Sequence, residues 1–430
     1  MEENKIGYRS RIGLFKKDAR LFIASNAAGS FSWGISGVIL NLYLVESGFG
    51  EDFLGLFLSI SMFGTAFIAV LAGMFSDRRS RKPIILTANV ITFISFIIAY
   101  TTLDPVSLIL SQVMFGLSSA FSQVSWFPYI TDLSTDEERA HLFGIGSGIS
   151  LLAVLGGNLL GGFLPDILMN ILPIAGSLFI AYRFTLLISL IPMAISTIMV
   201  LPMTKDKPIE KESSIGFSNV TNWGFIGKYA TTVTVVGLGA GMIVMYFNIF
   251  FKNEFTADSS LIGIIFGINT LVLAAGNFLA PAMADRIGKV KTVVITEALS
   301  VPFLLMISWA PVLYLAVIAY VSRTALMNMS GPVANAFFME GLTKEERATA
   351  VGVMRSGDSF VRGVSALIGG WLLAMGLYRL PYVLVSALYV LSVILFYSFF
   401  KNKEQEMKLR RETKVVVDEI EIEEEEYDIT

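Results

Sequence analysis

Twelve long apolar runs, separated by short polar stretches, dominate this 430-residue chain and leave it few ways to fold. They lie at about 20–45, 53–75, 83–101, 106–131, 141–165, 182–202, 227–251, 259–283, 292–310, 312–339, 348–375 and 380–400. A helix needs roughly 20 apolar residues to cross the hydrocarbon layer of a bilayer, and these runs are of that order. Water is excluded as the main solvent. The chain is 54% hydrophobic and 16% charged, whereas a soluble domain carries about 25% charge. The expected fold is all-α, with twelve transmembrane helices, in a multi-pass protein of the cell membrane.

Several functions are excluded at the same stage. There is no cysteine, so disulfides and thiolate metal sites are absent. The single histidine, His141, rules out a multi-histidine metal centre. No metal, cofactor or nucleic-acid partner is expected, and no catalytic dyad marks an enzyme. A phosphate-cradling G-x4-G-K-[ST] loop is missing, so the chain does not drive its own work with ATP. The first twenty residues are basic (Lys5, Arg9, Arg11, Lys16, Lys17, Arg20). They are followed by an apolar run too long for a cleaved signal, so the first helix is expected to be retained as an anchor.

Charge sets the orientation. Of the 32 Lys and Arg, 26 fall on the side that holds both termini and only Arg183, Lys252 and Arg379 on the other. By the positive-inside rule both termini are cytoplasmic. The polar stretch between the sixth and seventh runs, Thr204 to Asn222, reads as a linker. The expected organisation is a first six-helix bundle over 1–203, a cytoplasmic linker over 204–225, a second bundle over 226–401, and an acidic, solvated tail over 402–430.

The two bundles are copies. Asp77–Arg78 recurs as Asp285–Arg286, 208 residues on, and "EERA" at 137–140 recurs at 345–348 with the same offset. Gly55 maps to Gly263, Glu46 to Glu254, Gly144 to Gly352, and Gly161–Gly162 to Gly369–Gly370. Because both copies start on the same side, they are parallel repeats related by an axis along the membrane normal. This arrangement is found in transporters whose halves rock about a central site.

The stretch "GMFSDRRSRK", Gly73 to Lys82, resembles the loop between helices 2 and 3 of the major facilitator superfamily, roughly G-x-x-x-D-R-x-G-R-K. Gly73, Asp77, Arg78, Arg81 and Lys82 match it, and Ser80 stands where a glycine is usual. The second copy supplies Asp285, Arg286, Gly288 and Lys289. The resemblance implies a gating loop in which Asp77 faces the start of the eleventh helix. There a carboxylate at a helix N-terminus gains about 0.3–1 kcal/mol. It also implies a monomer, and a cavity lined by helices 1, 4, 7 and 10. In those helices Asn26, Trp33, Asn41, Gln123, Trp126, Tyr246 and Asn328 are candidate substrate contacts. The fifth run, with Gly144, Gly157, Gly161 and Gly162, resembles the glycine pattern of the drug:proton antiporter branch, with Asn158 in the place of its proline.

The charges inside the runs point most directly at function. Each costs about 2.5–3.5 kcal/mol at a helix centre. Arg323 lies in the tenth run and Arg355, Asp358 and Arg362 share one face of the eleventh. The 208-shifted positions are Phe115, Ser147, Ser150 and Val154, so only the second copy is charged. Asp358 can pair with either neighbouring arginine and is the candidate proton-coupling carboxylate, with Glu297 of the ninth run as a second. Arg323, Arg355 and Arg362 are candidates to hold an anionic group of a substrate. The leading expectation is a proton-coupled secondary transporter that exports small amphipathic compounds by alternating access. The alternatives are a uniporter or symporter of an organic anion, and a non-transporting membrane receptor on the same fold.

Overall fold

A computed structural model describes residues 15–77, 79–171, 177–206, 220–407 and 409. Among them are twelve long helices. In the first half these are α1 (Lys17–Glu46), α2 (Glu51–Asp77), α3 (Arg81–Thr101), α4 (Pro105–Leu133), α5 (Asp136–Ile171) and α6 (Leu178–Val200). In the second half α7 (Trp223–Phe255) is broken by a 3-10 turn at Val244–Tyr246. It is followed by α8 (Ser259–Ile287), α9 (Lys289–Trp309), α10 (Leu313–Glu340), α11 (Lys344–Ala374) and α12 (Leu380–Phe400).

Ten of these helices are long and apolar enough to cross a membrane. α10 and α11 fall short of that measure. They carry Arg323, Asn328 and Asn335 in one case and Arg355, Asp358 and Arg362 in the other, and these polar residues lower the hydropathy. Helix starts follow ordinary capping. Asp104, Ser177 and Asp258 accept the backbone N–H three residues on, from Ser107, Ile180 and Leu261.

The repeat appears as a symmetry of contacts. Between the halves, α2 packs on α11 and α5 on α8. Gly55 meets Gly370 in the first pair and Gly162 meets Gly263 in the second. Since 55 maps to 263 and 162 to 370, this crossed pairing is what a two-fold relation requires. A Cβ at Gly370 would sit 2.5 Å from the Glu51 carbonyl, and one at Gly263 2.5 Å from the Asn158 carbonyl. Only glycine lets these backbones approach so closely.

The core also shows how the halves meet. At the face opposite the linker there is one cluster built from both halves, including Tyr43, Phe57 and Leu186 with Tyr246, Phe250 and Tyr382. At the linker face there are two clusters, one per half: Phe22, Tyr129 and Leu142 in the first, Phe225, Tyr229 and Phe337 in the second. Polar contacts agree. Lys252 pairs with Glu46 at 2.8 Å, Asn253 and Tyr378 donate to Glu51, and Ser260 donates to Asp166, all on the face opposite the linker. Toward the linker face, the ring contacts seen between the halves reach only as far as Phe67 on Phe360, 5.9 Å between centroids.

The loops of the linker face carry a second matched pair. The Asp206 carboxylate, just past α6, accepts from Ser80 Oγ and from the backbone N–H of Arg81 and Lys82, at 2.7, 2.7 and 3.1 Å. Glu404, just past α12, accepts from the N–H groups of Lys289 and Val290 at 2.6 and 3.1 Å. Each half thus closes its third helix N-terminus with a carboxylate from the end of its sixth, where the macrodipole favours an anion. Ser80 has φ −58° and needs no glycine, whereas Gly288 sits at φ +90°. The Asp77 side chain, Arg78 and the side chains at 344 and 345 lie outside the described residues, as do 207–219 and almost all of the acidic tail. Asp285 and Arg286 are exposed.

Glu346 ties the first turn of α11 to the start of α7. It is 1% exposed and accepts from Thr221 N, Thr221 Oγ1, Asn222 N and Thr343 N. Burial alone would push its pKa up; the hydrogen bonds from Thr221, Thr343 and Asn222 outweigh that and hold it down at about 2. A depressed carboxylate stabilises the fold above its ordinary value of 4.5, and that contribution is lost as the pH falls toward 2. Glu346→Ala is expected to cost about 1.5–3 kcal/mol, the range for hydrogen bonds to a charged group. Thermal unfolding of both proteins at pH 7 and at stepwise lower pH checks this; a gap in Tm that stays constant down to pH 2 would contradict it.

Candidate functional site

Four of the five charges inside the second-half runs converge on one cavity. It encloses about 580 Å³ and lies among the helices of that half. Glu297, Arg323, Asp358 and Arg362 all line it, with Asn269, Asn328, Asn335, Tyr229, Tyr320 and Tyr389. Three helices supply the four charges: α9, α10 and α11.

Arg323 is the most constrained of them. It is 2% exposed, and its guanidinium donates to Tyr389 Oη at 2.5 Å. The charge lies 5.4 Å from the ring centre of Tyr389 and 5.9 Å from that of Phe247, close enough for cation–π attraction. Its Nε is buried without a hydrogen-bond partner, and no ion pair to a carboxylate is seen among the described residues. Asp358 pairs with Arg362, Oδ2 to Nε at 2.7 Å, the i, i+4 arrangement. Its other oxygen, Oδ1, is buried and unpartnered. Glu297 is 9% exposed beside Ser330. The cavity therefore holds a guanidinium with donor capacity to spare and a carboxylate with acceptor capacity to spare.

Arg362 also lines a second cavity of about 410 Å³, between the halves. Trp33, Asn41, Gln112 and Gln123 contribute from the first half and Met245, Asn248 and Phe266 from the second. Trp33 is 57% exposed and stacks on Phe115 at 6.0 Å. Arg362 thus stands between an aromatic and amide central chamber and the charged cavity behind it. The first half has its own cavity of about 360 Å³, lined by Ser25, Ser30, Asn89, Thr92, Ser119 and Ser196. It holds hydroxyls and amides where the second half holds charge.

Not every expected residue joins the central site. Arg355 forms no pair with Asp358; it lines a smaller pocket with Asn26, Gln123 and Trp126. Asn26 donates to Ser150 Oγ at 2.7 Å, and Trp126 packs on Phe22. Asn41 is spent on the seam between the halves, donating to Met245 O at 2.6 Å and Asn248 Oδ1 at 3.0 Å. Tyr246 lies in the α7 turn at 1% exposure and donates to Ala366 O at 2.6 Å, so it packs helices rather than facing a cavity. Asn328 lines the charged cavity while donating to Thr324 O. In the fifth helix, Gly157 and Gly161 press on Phe31 and Ile35 of α1, and Asn158 donates to Thr270 of α8 at 3.2 Å. That stripe is helix packing.

Sequence reasoning missed Tyr229, Asn269, Tyr320 and Tyr389. Asn269 was detectable as a lone amide in an apolar run. The tyrosines were not, because nothing local separates a cavity tyrosine from one at the membrane interface.

The sequence profile of the Major Facilitator Superfamily matches the chain twice, over residues 22–251 and 229–421. An uncharacterized membrane protein of Saccharomyces cerevisiae is 20% identical over 435 residues, 91% of this chain and 96% of its own length. Among solved structures, the nucleoside transporter NupG superposes with a TM-score of 0.70 at 14% identity, covering 90% of this chain and 100% of its own. The D-xylose-proton symporter gives 0.67 at 15%, covering 89% and 97%. The human organic anion transporter MFSD10 gives 0.58 at 18%, covering 88% and 99%. A double match to the family profile, one per half, fits the crossed glycine pairs and the paired carboxylate caps. The chain is a multi-pass integral membrane protein and a transporter, not an enzyme, and it belongs to the major facilitator superfamily.

Proposed function

We propose that the chain is a proton-coupled secondary transporter of small amphipathic organic anions, working by alternating access across a cell membrane. Twelve helices cross the bilayer, both termini are cytoplasmic, and the conformation seen faces the cytoplasm. The split of the core into two clusters at the linker face, against one shared cluster opposite, supports that orientation of the opening.

The observation that carries the cargo assignment is Arg323: a buried guanidinium, free of any seen carboxylate partner, in a polar cavity. A carboxylate or phosphate on the cargo supplies the missing acceptor. The aromatic and methionine wall of the central chamber, with Trp33, Phe115, Met62 and Met245, receives the apolar body. An amphipathic cargo was one expectation from the sequence and an anion clamp the other; the two cavities joined at Arg362 accommodate both in one ligand.

Coupling follows from the Asp358–Arg362 pair. A cargo anion that engages Arg362 competes with Asp358 for the same guanidinium. The carboxylate that loses its guanidinium is the group assigned the proton that the cycle moves. Cargo binding and protonation then favour each other. Asp358→Asn removes the proton carrier and leaves both arginines. In proteoliposomes loaded with a pH-sensitive dye, adding an aryl carboxylate is expected to move protons with the wild type and not with Asp358→Asn, while the variant still binds. Equal proton movement in both proteins would overturn the assignment.

A further inference from the structure

The first half carries a groove that shares no lining residue with the cavities above. It encloses about 930 Å³ and is lined only by α2, α3, the loop between them, α4 and Lys205, which follows α6. On α2 the lining residues are Ile68, Leu71 and Phe75, and on α3 they run from Pro83 to Ile91; Arg79 and Ser80 line it from the loop between them. The helical part of each stripe covers eight or nine residues, about 12–13 Å along a helix, and the loop residues extend it. The hydrocarbon of one leaflet is about half of 30 Å, so the groove with its loop end spans most of one leaflet.

Its wall is apolar and its rim is cationic. Leu71 and Phe75 are exposed in it, at 59% and 43%. Arg79 and Lys205 are both exposed at the end nearest the linker, and the Arg79 guanidinium rests 4.7 Å over the Phe75 ring. Among the described residues, no carboxylate lines the groove. The nearby Asp206 is 7% exposed and committed to the α3 N-terminus. The repeat provides a contrast: the position 208 residues beyond Arg79 is Ile287, so the second half lacks this cation.

We propose that this groove is a binding site for an anionic phospholipid of the linker-side leaflet, with an acyl chain along Leu71, Phe75 and Ile84 and the phosphate engaged by Arg79 and Lys205. The inference rests on the membrane placement of the chain and is independent of its cargo. Basic pockets between helices at the cytoplasmic surface select anionic headgroups, and each cation near the surface is worth roughly a fivefold preference.

The full chain, reconstituted in nanodiscs of equal phosphatidylglycerol and phosphatidylcholine with identical acyl chains, is released into detergent, and its retained lipids are counted by native mass spectrometry. The wild type is expected to retain phosphatidylglycerol roughly 10- to 25-fold over phosphatidylcholine. Arg79→Gln with Lys205→Gln is expected to bring the two lipids near parity. Leu71→Trp, which fills the groove and keeps both cations, is expected to lose bound lipid of either kind. Equal retention of the two lipids by the wild type overturns the site. So does a preference that survives the double substitution, or full retention by Leu71→Trp.

Discussion

Arg323→Gln is expected to weaken binding of aryl carboxylates by about 10- to 100-fold, as charge-assisted hydrogen bonds of about 1.5–3 kcal/mol are lost. It is also expected to leave the protein at least as stable as before. The second half of this expectation separates a ligand site from a structural role. An arginine that holds helices together leaves broken partners behind when removed. Arg323 has one seen partner, the Tyr389 hydroxyl, and an Nε with none. Glutamine can still reach a hydroxyl, and it takes away a charge that costs about 2.5–3.5 kcal/mol at mid-membrane. Calorimetric titration with thermal unfolding on the same sample reads both quantities. A fall in Tm with unchanged affinity would assign Arg323 to structure.

Gly370→Ala is expected to shift the protein away from the conformation described here. The added Cβ would lie 2.5 Å from the Glu51 carbonyl and 2.7 Å from the Gly55 Cα. Both are backbone atoms, so relief requires α2 and α11 to separate. Overpacking of this kind costs about 1–3 kcal/mol, enough to change the ratio of two conformations by roughly 5- to 150-fold. The strain falls only on the state sealed opposite the linker, because there the helices touch. Gly263→Ala, 2.5 Å from the Asn158 carbonyl, should act alike on the other seam. The chain has no cysteine, so one introduced at Gly37, which borders the central chamber and has open space around its Cβ, reports access cleanly. An impermeant maleimide added on the face opposite the linker should label it at least fivefold faster when Gly370→Ala is present. Unchanged labelling would mean that this seam does not open.

Much of this was legible in the sequence because membranes constrain it so tightly. Apolar length gave the helices, and the 208-residue register gave the two halves and matched Gly55 to Gly263 and Gly162 to Gly370 before any contact was known. Intramembrane charge gave Arg323, Asp358, Arg362 and Glu297, since each is costly enough to need a reason. What could not be read was rotation about helix axes between neighbours. Spacing on α11 put Arg355, Asp358 and Arg362 on one face, yet only Arg362 pairs with Asp358, and Arg355 turns to the first half. Asn41 borders the central chamber yet spends its amide on the seam between the halves, and Tyr246 ties α7 to α11 within the second half. The Asp206 and Glu404 caps were hidden because each joins residues more than 100 positions apart.

The most direct test of alternating access is a distance. Spin labels on Phe127→Cys and Ala336→Cys, both exposed and one in each half near the linker face, report the gap across the opening by pulsed electron resonance. Without cargo the distance distribution should be dominated by one long component. With an aryl carboxylate at saturating concentration and acidic pH, a shorter component should grow as the two separate linker-side cores approach each other, and Asp358→Asn should blunt it. A distribution that stays the same with cargo, without it and across pH would contradict the account.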